Sequence, residues 1–250
     1  MIVDAVVLAG AANTGKLRGI SDCTNEALIP IHGRPMVQYV VEALNGAAKV
    51  GRIVVVGPDE LRAALQGTGA VLVPSTNSIT DNVKRGLEEL DSERMALLVT
   101  SDIPLVTSEA VEDFINRCSE LPGDLFYPIV SKEVNDVNYP GTARTYFRLR
   151  EGTFTGGNLF LALPRVVLEC QPMLERVFAM RKKPWQLSRL LGFSFILKFL
   201  LRRLAIHEIE ERVRDIFSIK GVAVITPYPE IGIDVDKPSD LELVTSALKR

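Results

Sequence analysis

Three carboxylates in this chain are placed where a hard divalent cation could be held. Asp102 follows the apolar run Met95 to Val99 and precedes a turn at Pro104, so it stands just beyond a buried strand with little freedom to move. Asp234 and Asp236 alternate with Ile233 and Val235, and on a strand that period puts both acids on one face. Two like charges so close together are costly unless a cation lies between or near them. Helix capping is the structural alternative, for Asp102 near Thr107 and for Asp236 before Pro238.

A second constellation lies near the N-terminus. The run Leu8-Ala9-Gly10-Ala11-Ala12-Asn13-Thr14-Gly15-Lys16-Leu17-Arg18 follows a strand-like segment. Gly10 and Gly15 let backbone N–H groups approach phosphate oxygens, and Lys16 and Arg18 add cations. It is neither a Walker loop, since Leu17 follows Gly15-Lys16, nor a dinucleotide fingerprint. An ordinary strand-to-helix turn with solvated bases fits the same residues. Between Thr76 and Val83, Ser78 and Asn82 offer a hydroxyl and an amide at a helix start, where capping and ligand binding are both open. Arg144, Arg148 and Arg150 precede Gly156-Gly157-Asn158, a combination suited to a phosphate or carboxylate. The spacing of the arginines also suits a solvated strand face.

These residues need a scaffold that brings them together. Met1 to Ala9 is apolar apart from Asp4, as in a strand covered on both faces. Pro35 opens a helix through Met36, Tyr39, Val40, Ala43 and Leu44, closed by Gly46. Strand Ile53 to Val56, a short helix Glu60 to Leu65, strand Val71 to Val73 and a helix bearing Ile79, Val83, Leu87 and Leu90 follow. Met95 to Val99 is the next strand, and Thr107 caps a helix through Val111, Phe114 and Ile115. Such alternation predicts a mostly parallel sheet with helices on both faces and ligands beyond the carboxyl ends of the strands. Asp136 to Gly157 departs from it and is expected to form short β pieces over the site. Residues 175–217 are expected to be helical, Val222 to Ile225 and Ile231 to Val235 to be strands, and Pro238 to start the last helix.

The chain has 250 residues, 47% hydrophobic and 24% charged, which fits one large domain. A net charge of −2 provides no general attraction for nucleic acid, so phosphate recognition should be local and the ligand small. Cys23, Cys118 and Cys170 are far apart and the start lacks a secretory pattern, so free thiols and a cytoplasmic location are expected. His32 and His207 are isolated, which argues against a histidine-centred site. From Trp185 to Leu204 the chain is strongly apolar, flanked by Arg181-Lys182-Lys183 and Arg202-Arg203. Lys198 interrupts it, and the uncharged stretch from Leu190 to Leu197 is far short of the ~20 residues a transmembrane helix needs. A buried helix or homodimer interface is expected there, and peripheral membrane contact stays open.

Taken together, the motifs carry a family likeness. Leu8-Ala9-Gly10 through Lys16-Leu17, Ala27-Leu28-Ile29-Pro30-Ile31-His32-Gly33-Arg34-Pro35-Met36, Leu97 to Leu105 and Ile233 to Leu241 resemble, in order, the blocks of the MobA-like nucleotidyltransferases. The resemblance implies a single-domain, three-layer α/β/α fold with a Rossmann-like sheet of the nucleotide-diphospho-sugar transferase (glycosyltransferase-A-like) type, a small β insertion and a C-terminal helical excursion. It implies a nucleotide-binding half over roughly 1–130 and an acceptor-binding half over 131–250, with helical insertion 175–217. By its pattern Asp102 and Asp236, with Asp234 beside them, would hold Mg²⁺. Leu8, Ala9, Gly10, Ala11, Gly15, Lys16, Arg18, Ser78 and Asn82 would meet the nucleotide, Lys16 acting catalytically, and Arg148, Gly157 and Asn158 would meet the acceptor. The implied reaction moves a nucleotidyl group from a nucleoside triphosphate to a small phosphorylated acceptor, molybdopterin-like, a sugar phosphate or a lipid phosphate, with release of pyrophosphate. Two residues depart from the pattern: Ala11 stands for a glycine, and Glu26 for a lysine that normally contacts triphosphate. A glycosyltransferase using a nucleotide-sugar and a nucleotide-binding regulatory protein are the alternatives.

Overall fold

Strand β1 (Val3–Leu8) sends alternate side chains into two different cores. Val3, Ala5 and Val7 pack with Val40, Leu44 and Phe114, while Val6 packs with Val54, Val56 and Leu87 on the opposite face. A strand sandwiched in this way needs apolar residues on both faces, which explains the run; the one acid in it, Asp4, accepts from Arg52 N–H at 2.8 Å. The computed structural model describes residues 1–91, 93–180 and 190–249. After β1 comes a small hairpin of β2 (Pro30–Ile31) and β3 (Arg34–Pro35). β4 (Val50–Gly57) and β6 (Ala96–Thr100) flank β1 in parallel, and β5 (Val71–Pro74) extends β4 in parallel at the sheet edge.

Helices α1 (Met36–Gly46) and α3 (Ser108–Ser119) contribute Val40, Leu44, Phe114 and Ile115 to the first core. α2 (Ile79–Glu88) contributes Leu87 to the second, where Val167 and Leu168 of a later helix, α5 (Pro164–Met180), also pack. Thr107 caps α3, its hydroxyl accepting from the Ala110 N–H at 3.1 Å, so the helix starts where its sequence places it.

The second half of the sheet turns antiparallel. β7 (Leu125–Ser131) pairs with β9 (Gly152–Gly156) and β10 (Leu159–Ala162), two pieces of one run broken at Gly157-Asn158. β10 also pairs with β6, joining the two halves, while β8 (Phe147–Leu149) extends β9. β11 (Gly221–Thr226) joins β7 in parallel on its other side. The order is β5-β4-β1-β6-β10-β7-β9-β8 with β11 on β7, a mostly parallel sheet covered on both faces, as the alternation predicts.

Several elements differ from expectation. Glu60 to Leu65 is not an α-helix: the chain makes a 3-10 turn at Asp59–Arg62, too short a stretch to repay helix nucleation. Asp136 to Gly157 does not begin in β structure but inside α4 (Lys132–Asn138), capped by the Ser131 hydroxyl accepting from Val134 N–H. Ile231 to Val235 is not a strand. Pro229–Gly232 forms a 3-10 turn, and the Val235 N–H donates to the carbonyl of Asp102 at 2.9 Å instead of entering a ladder.

The helical stretch expected over 175–217 is divided. α5 begins earlier, at Pro164, and is followed by α6 (Phe193–Leu200) and α7 (Ile206–Phe217), with α8 (Pro238–Ala247) last. Gly192 and Arg202, both at positive φ, bound α6. Residues 181–189, Trp185 and Leu187 among them, lie outside the described residues. In the described part of the apolar stretch the expected burial is not observed, since Phe193, Leu197, Leu200 and Leu201 are exposed. No helix among the described residues is long and apolar enough to cross a membrane.

Candidate active site

The carboxyl ends of β1 and β6 lie side by side, with Leu8 paired to Thr100, and the loops leaving them define the site. Asp102, Asp234 and Asp236 each place a carboxylate oxygen within 4.8 Å of the others. Asp102 is fixed from two directions: the Thr100 hydroxyl donates to its carboxylate and its carbonyl accepts from Val235 N–H. Ile233 and Val235 are buried, leaving Asp234 and Asp236 to face the cluster, so the alternation holds without a strand. Asp236 does not cap α8. Its own N–H instead donates to the carboxylate of Asp240 at 3.2 Å.

The electrostatics favour a cation. Burial, reinforced by Asp234 and Asp236 and opposed by the Thr100 hydrogen bond, pushes the Asp102 carboxyl up to about 6 from an ordinary 3.8. Asp236 is exposed at the surface, yet partial desolvation and then the Asp234 charge raise it as well. Glu26 is raised too, by burial and then by Asp236, which places a fourth carboxylate beside the cluster. Arg144 pairs with Asp234, the two side chains being 10% and 22% exposed, and only partly offsets the rise at Asp236. A surplus of hard oxygen donors remains, the donor set that Mg²⁺ takes.

The loop after β1 is held by Asn25. Its Nδ2 donates to the carbonyl of Ala9 at 3.0 Å and its Oδ1 accepts from Ala27 N–H at 2.8 Å. Asn13 N–H donates to Thr24 O and Glu26 N–H to Ala11 O, which pairs the two loop arms. Within this frame the N–H groups of Gly10, Ala11 and Ala12 meet no acceptor among the described residues. A Cβ at Gly10 would stand 2.9 Å from Asn82 Nδ2 and 3.0 Å from Ser75 Cβ, so Gly10 is required by the close approach of the α2 start. Leu8 and Ala9 belong to the strand end, and exposed Gly15 and Lys16 open the turn that follows. The guanidinium of Arg18 donates to the carbonyls of Asp22 and Cys23, bracing the loop from below.

Ser78 caps α2, its hydroxyl accepting from Asp81 N–H at 3.2 Å. Buried Asn82 accepts from Thr76 N–H at 2.6 Å and donates to Thr76 O at 3.0 Å. Both therefore shape the wall beside Gly10. On the other side, Asn158 O accepts from Thr100 N–H at 3.1 Å and Asn158 N–H donates to Ile231 O at 2.9 Å, so its backbone bridges the two carboxylate-bearing segments. Gly157 is buried and a Cβ there would meet Ile231 Cγ2 at 2.6 Å, so packing accounts for that glycine. Arg148 is exposed on β8 opposite Thr153, toward the sheet edge. A surface depression of about 720 Å³ beside β5, lined by Asp59, Arg62 and Leu72 among others, contains none of these residues.

Three participants escape the sequence patterns. Arg144 reads as one of three spaced arginines, yet it alone reaches Asp234. Thr100 is the last residue of an apolar strand, and only the bend at Asp102 turns its hydroxyl onto the carboxylate. Asn25 lies in a polar loop without periodicity, where nothing local marks it as an anchor.

Known proteins resemble this chain in sequence and in fold. A family model described as the MobA-like NTP transferase domain matches residues 5–191. An 8-amino-3,8-dideoxy-manno-octulosonate cytidylyltransferase of Shewanella sp. (strain W3-18-1) is 31% identical over 140 residues, 52% of this chain and 56% of that protein. The chain thus spans about half the length of the curated relatives it matches. A solved structure described as a hypothetical transferase from Thermus thermophilus is 40% identical, with a TM-score of 0.86, covering 96% of this chain and 100% of that one. A CMP:2-keto-3-deoxy-manno-octonic acid synthetase complexed with CTP shares the fold at 15% identity and a TM-score of 0.63, covering 100% of this chain and 99% of that one.

Proposed function

This chain belongs to the MobA-like NTP transferase family, and from that membership we propose that it transfers a nucleotidyl group from a nucleoside triphosphate to a small phosphorylated acceptor. The observation that carries the reading is the carboxylate cluster of Asp102, Asp234 and Asp236 beside the loop after β1. Asp102 and Asp236 would hold Mg²⁺, because Asp234 is engaged by Arg144. When bound, the ion would neutralise phosphate charge and orient the triphosphate.

The chain's own residues supply the rest. The N–H groups of Gly10, Ala11 and Ala12 point a positive edge at the triphosphate, and Lys16 adds a charge. Ser78 and Asn82 would meet the nucleoside, and Arg148 and Asn158 would meet the acceptor. An acceptor oxygen forms a bond to the α-phosphorus as the α–β phosphoanhydride bond breaks, and pyrophosphate leaves with the electron pair. A phosphate acceptor is already anionic and needs no general base, which suits a site built without histidine. His32 is occupied elsewhere, its Nε2 hydrogen-bonded to Thr245 O at 2.8 Å.

The names of the relatives make CTP the first donor to test. The assay is pyrophosphate release with CTP, GTP, ATP or UTP, Mg²⁺, and a panel of sugar phosphates, phosphorylated pterins and octulosonates. Pyrophosphate lost in Asp102→Asn is the supporting result. Release of a nucleoside diphosphate from a nucleotide-sugar would favour a glycosyltransferase instead. Glu26 motivates a second reading, a nucleotide-binding module without turnover, since its carboxylate opposes a triphosphate. Triphosphate binding with no product from any acceptor would select it.

A further inference from the structure

α6 carries a face that the fold leaves uncovered. Phe193, Leu197, Leu200 and Leu201 are spaced i, i+4, i+7 and i+8, so they form one stripe, and they are 81%, 43%, 70% and 55% exposed. The opposite side is anchored: Phe195 packs against Leu149, Phe154 and Leu204. The stripe therefore faces away from the packed side of the helix.

The surroundings of the stripe are cationic. Arg202 and Arg203 follow α6 directly, and the N–H of Arg150 donates to Leu204 O at 2.9 Å, which brings the end of β8 alongside. Arg150, Arg202 and Arg203 are all exposed, and none is in an ion pair among the described residues. The acids beside them are fewer: Glu208 pairs with Lys198, and Glu151, which accepts from Ile206 N–H at 3.2 Å, offsets one arginine. In a chain of net charge −2 this is a local excess of positive charge around exposed hydrocarbon.

We infer that α6 and the arginines beside it dock the protein on the surface of an anionic lipid bilayer, with Phe193, Leu197, Leu200 and Leu201 in the headgroup boundary. The charge pattern selects this occupant. A second copy meeting the patch across a two-fold axis would set arginine against arginine, with only Glu151 and Glu208 of each copy to offset them. An anionic bilayer satisfies both features at once, hydrocarbon for the stripe and phosphate for the arginines. α6 is far too short to span, so the contact is peripheral. The inference goes beyond nucleotidyl transfer, and its test reads no turnover.

The test is co-sedimentation of the full chain with vesicles of phosphatidylcholine alone or mixed with phosphatidylglycerol, at low and high salt. Binding to the mixed vesicles at low salt, weakened by salt and weak on phosphatidylcholine alone, is expected. The triple variant Phe193→Ser/Leu197→Ser/Leu200→Ser should bind at least about tenfold more weakly, with the far-ultraviolet dichroism and melting of the parent. Arg202→Glu/Arg203→Glu should lose the preference for phosphatidylglycerol. If the triple variant is unstable, Leu200→Ser alone takes its place, with a smaller loss in the same direction. The inference is overturned if the parent does not sediment with mixed vesicles at low salt, or if binding survives the serine substitutions. A vesicle-free dimer that the serine substitutions dissociate would also overturn it, by assigning the face to a second copy.

Discussion

Arg144 and Asp234 form an ion pair across the base of the carboxylate cluster, joining the loop before β8 to the segment before α8. The pair spends one of the three acids on a protein cation and leaves Asp102 and Asp236 without an ion-pair partner among the described residues. That division assigns different roles to residues that look alike in sequence.

Removing the arginine should therefore expose the cost of the cluster. Arg144→Ala leaves a largely buried carboxylate beside two others, and loss of one partner of such a pair costs about 3 kcal/mol. Urea unfolding without metal should show the loss, and Mg²⁺ should restore more stability to the variant than to the parent. Equal midpoints for the two proteins in metal-free buffer would contradict the assignment.

The raised carboxyls make metal-free stability depend on pH. A folded-state pKa of about 6 against an ordinary 3.8 means Asp102 keeps its proton in the folded protein while the unfolded chain has lost it. The contribution is thus complete below pH ~4, falls as pH rises toward ~6 and is flat above. Asp236 and Glu26, also raised, act in the same direction. Melting temperatures of metal-free protein should fall by several degrees across that window, and Asp102→Asn should flatten the fall. A parent whose melting temperature rose over the same window, with no change of slope in the variant, would count against it.

Glu26 opposes the ligand that the loop is shaped for. Replacing it with lysine exchanges repulsion for attraction next to Asp236 and the free N–H groups. Glu26→Lys should tighten CTP binding about tenfold or more, equivalent to ~1.4 kcal/mol. Calorimetric titration gives the answer, and weaker binding in the variant would mean that Glu26 serves the site in another way.

Asn25 tests the loop separately from the metal. Asn25→Ala strands the buried carbonyl of Ala9 and should cost about 1–3 kcal/mol of stability. Triphosphate affinity should fall with it, while the stabilisation by Mg²⁺ alone persists. Parallel loss of both responses would show that the loop and the cluster are not separable.

The residues differ in how far their roles could be read in advance. The central strands declare themselves because burial on both faces demands continuous apolar runs, and Thr107 marks a helix start by its own chemistry. Asp102, Asp234 and Asp236 were legible as a cluster because turn and alternation are local signals. Arg144 was not, since its partner lies 90 residues away and nothing local distinguishes it from Arg148. Ile231 to Val235 looks like a strand by composition, but a strand needs a neighbour, and here the available partner is the carbonyl of Asp102. Gly156 and Gly157 suggested close approach to a ligand, whereas Tyr127, Pro128 and Ile231 already fill the space beside them.

The central claim is that Asp102 and Asp236 hold a divalent cation against a triphosphate. Its most direct test is anomalous diffraction from crystals grown with Mn²⁺ and a non-hydrolysable CTP analogue. The account predicts a single strong manganese peak in contact with the Asp102 and Asp236 carboxylates and with phosphate oxygens above Gly10 to Ala12. Triphosphate bound with no manganese at these carboxylates, or manganese held elsewhere, would contradict it.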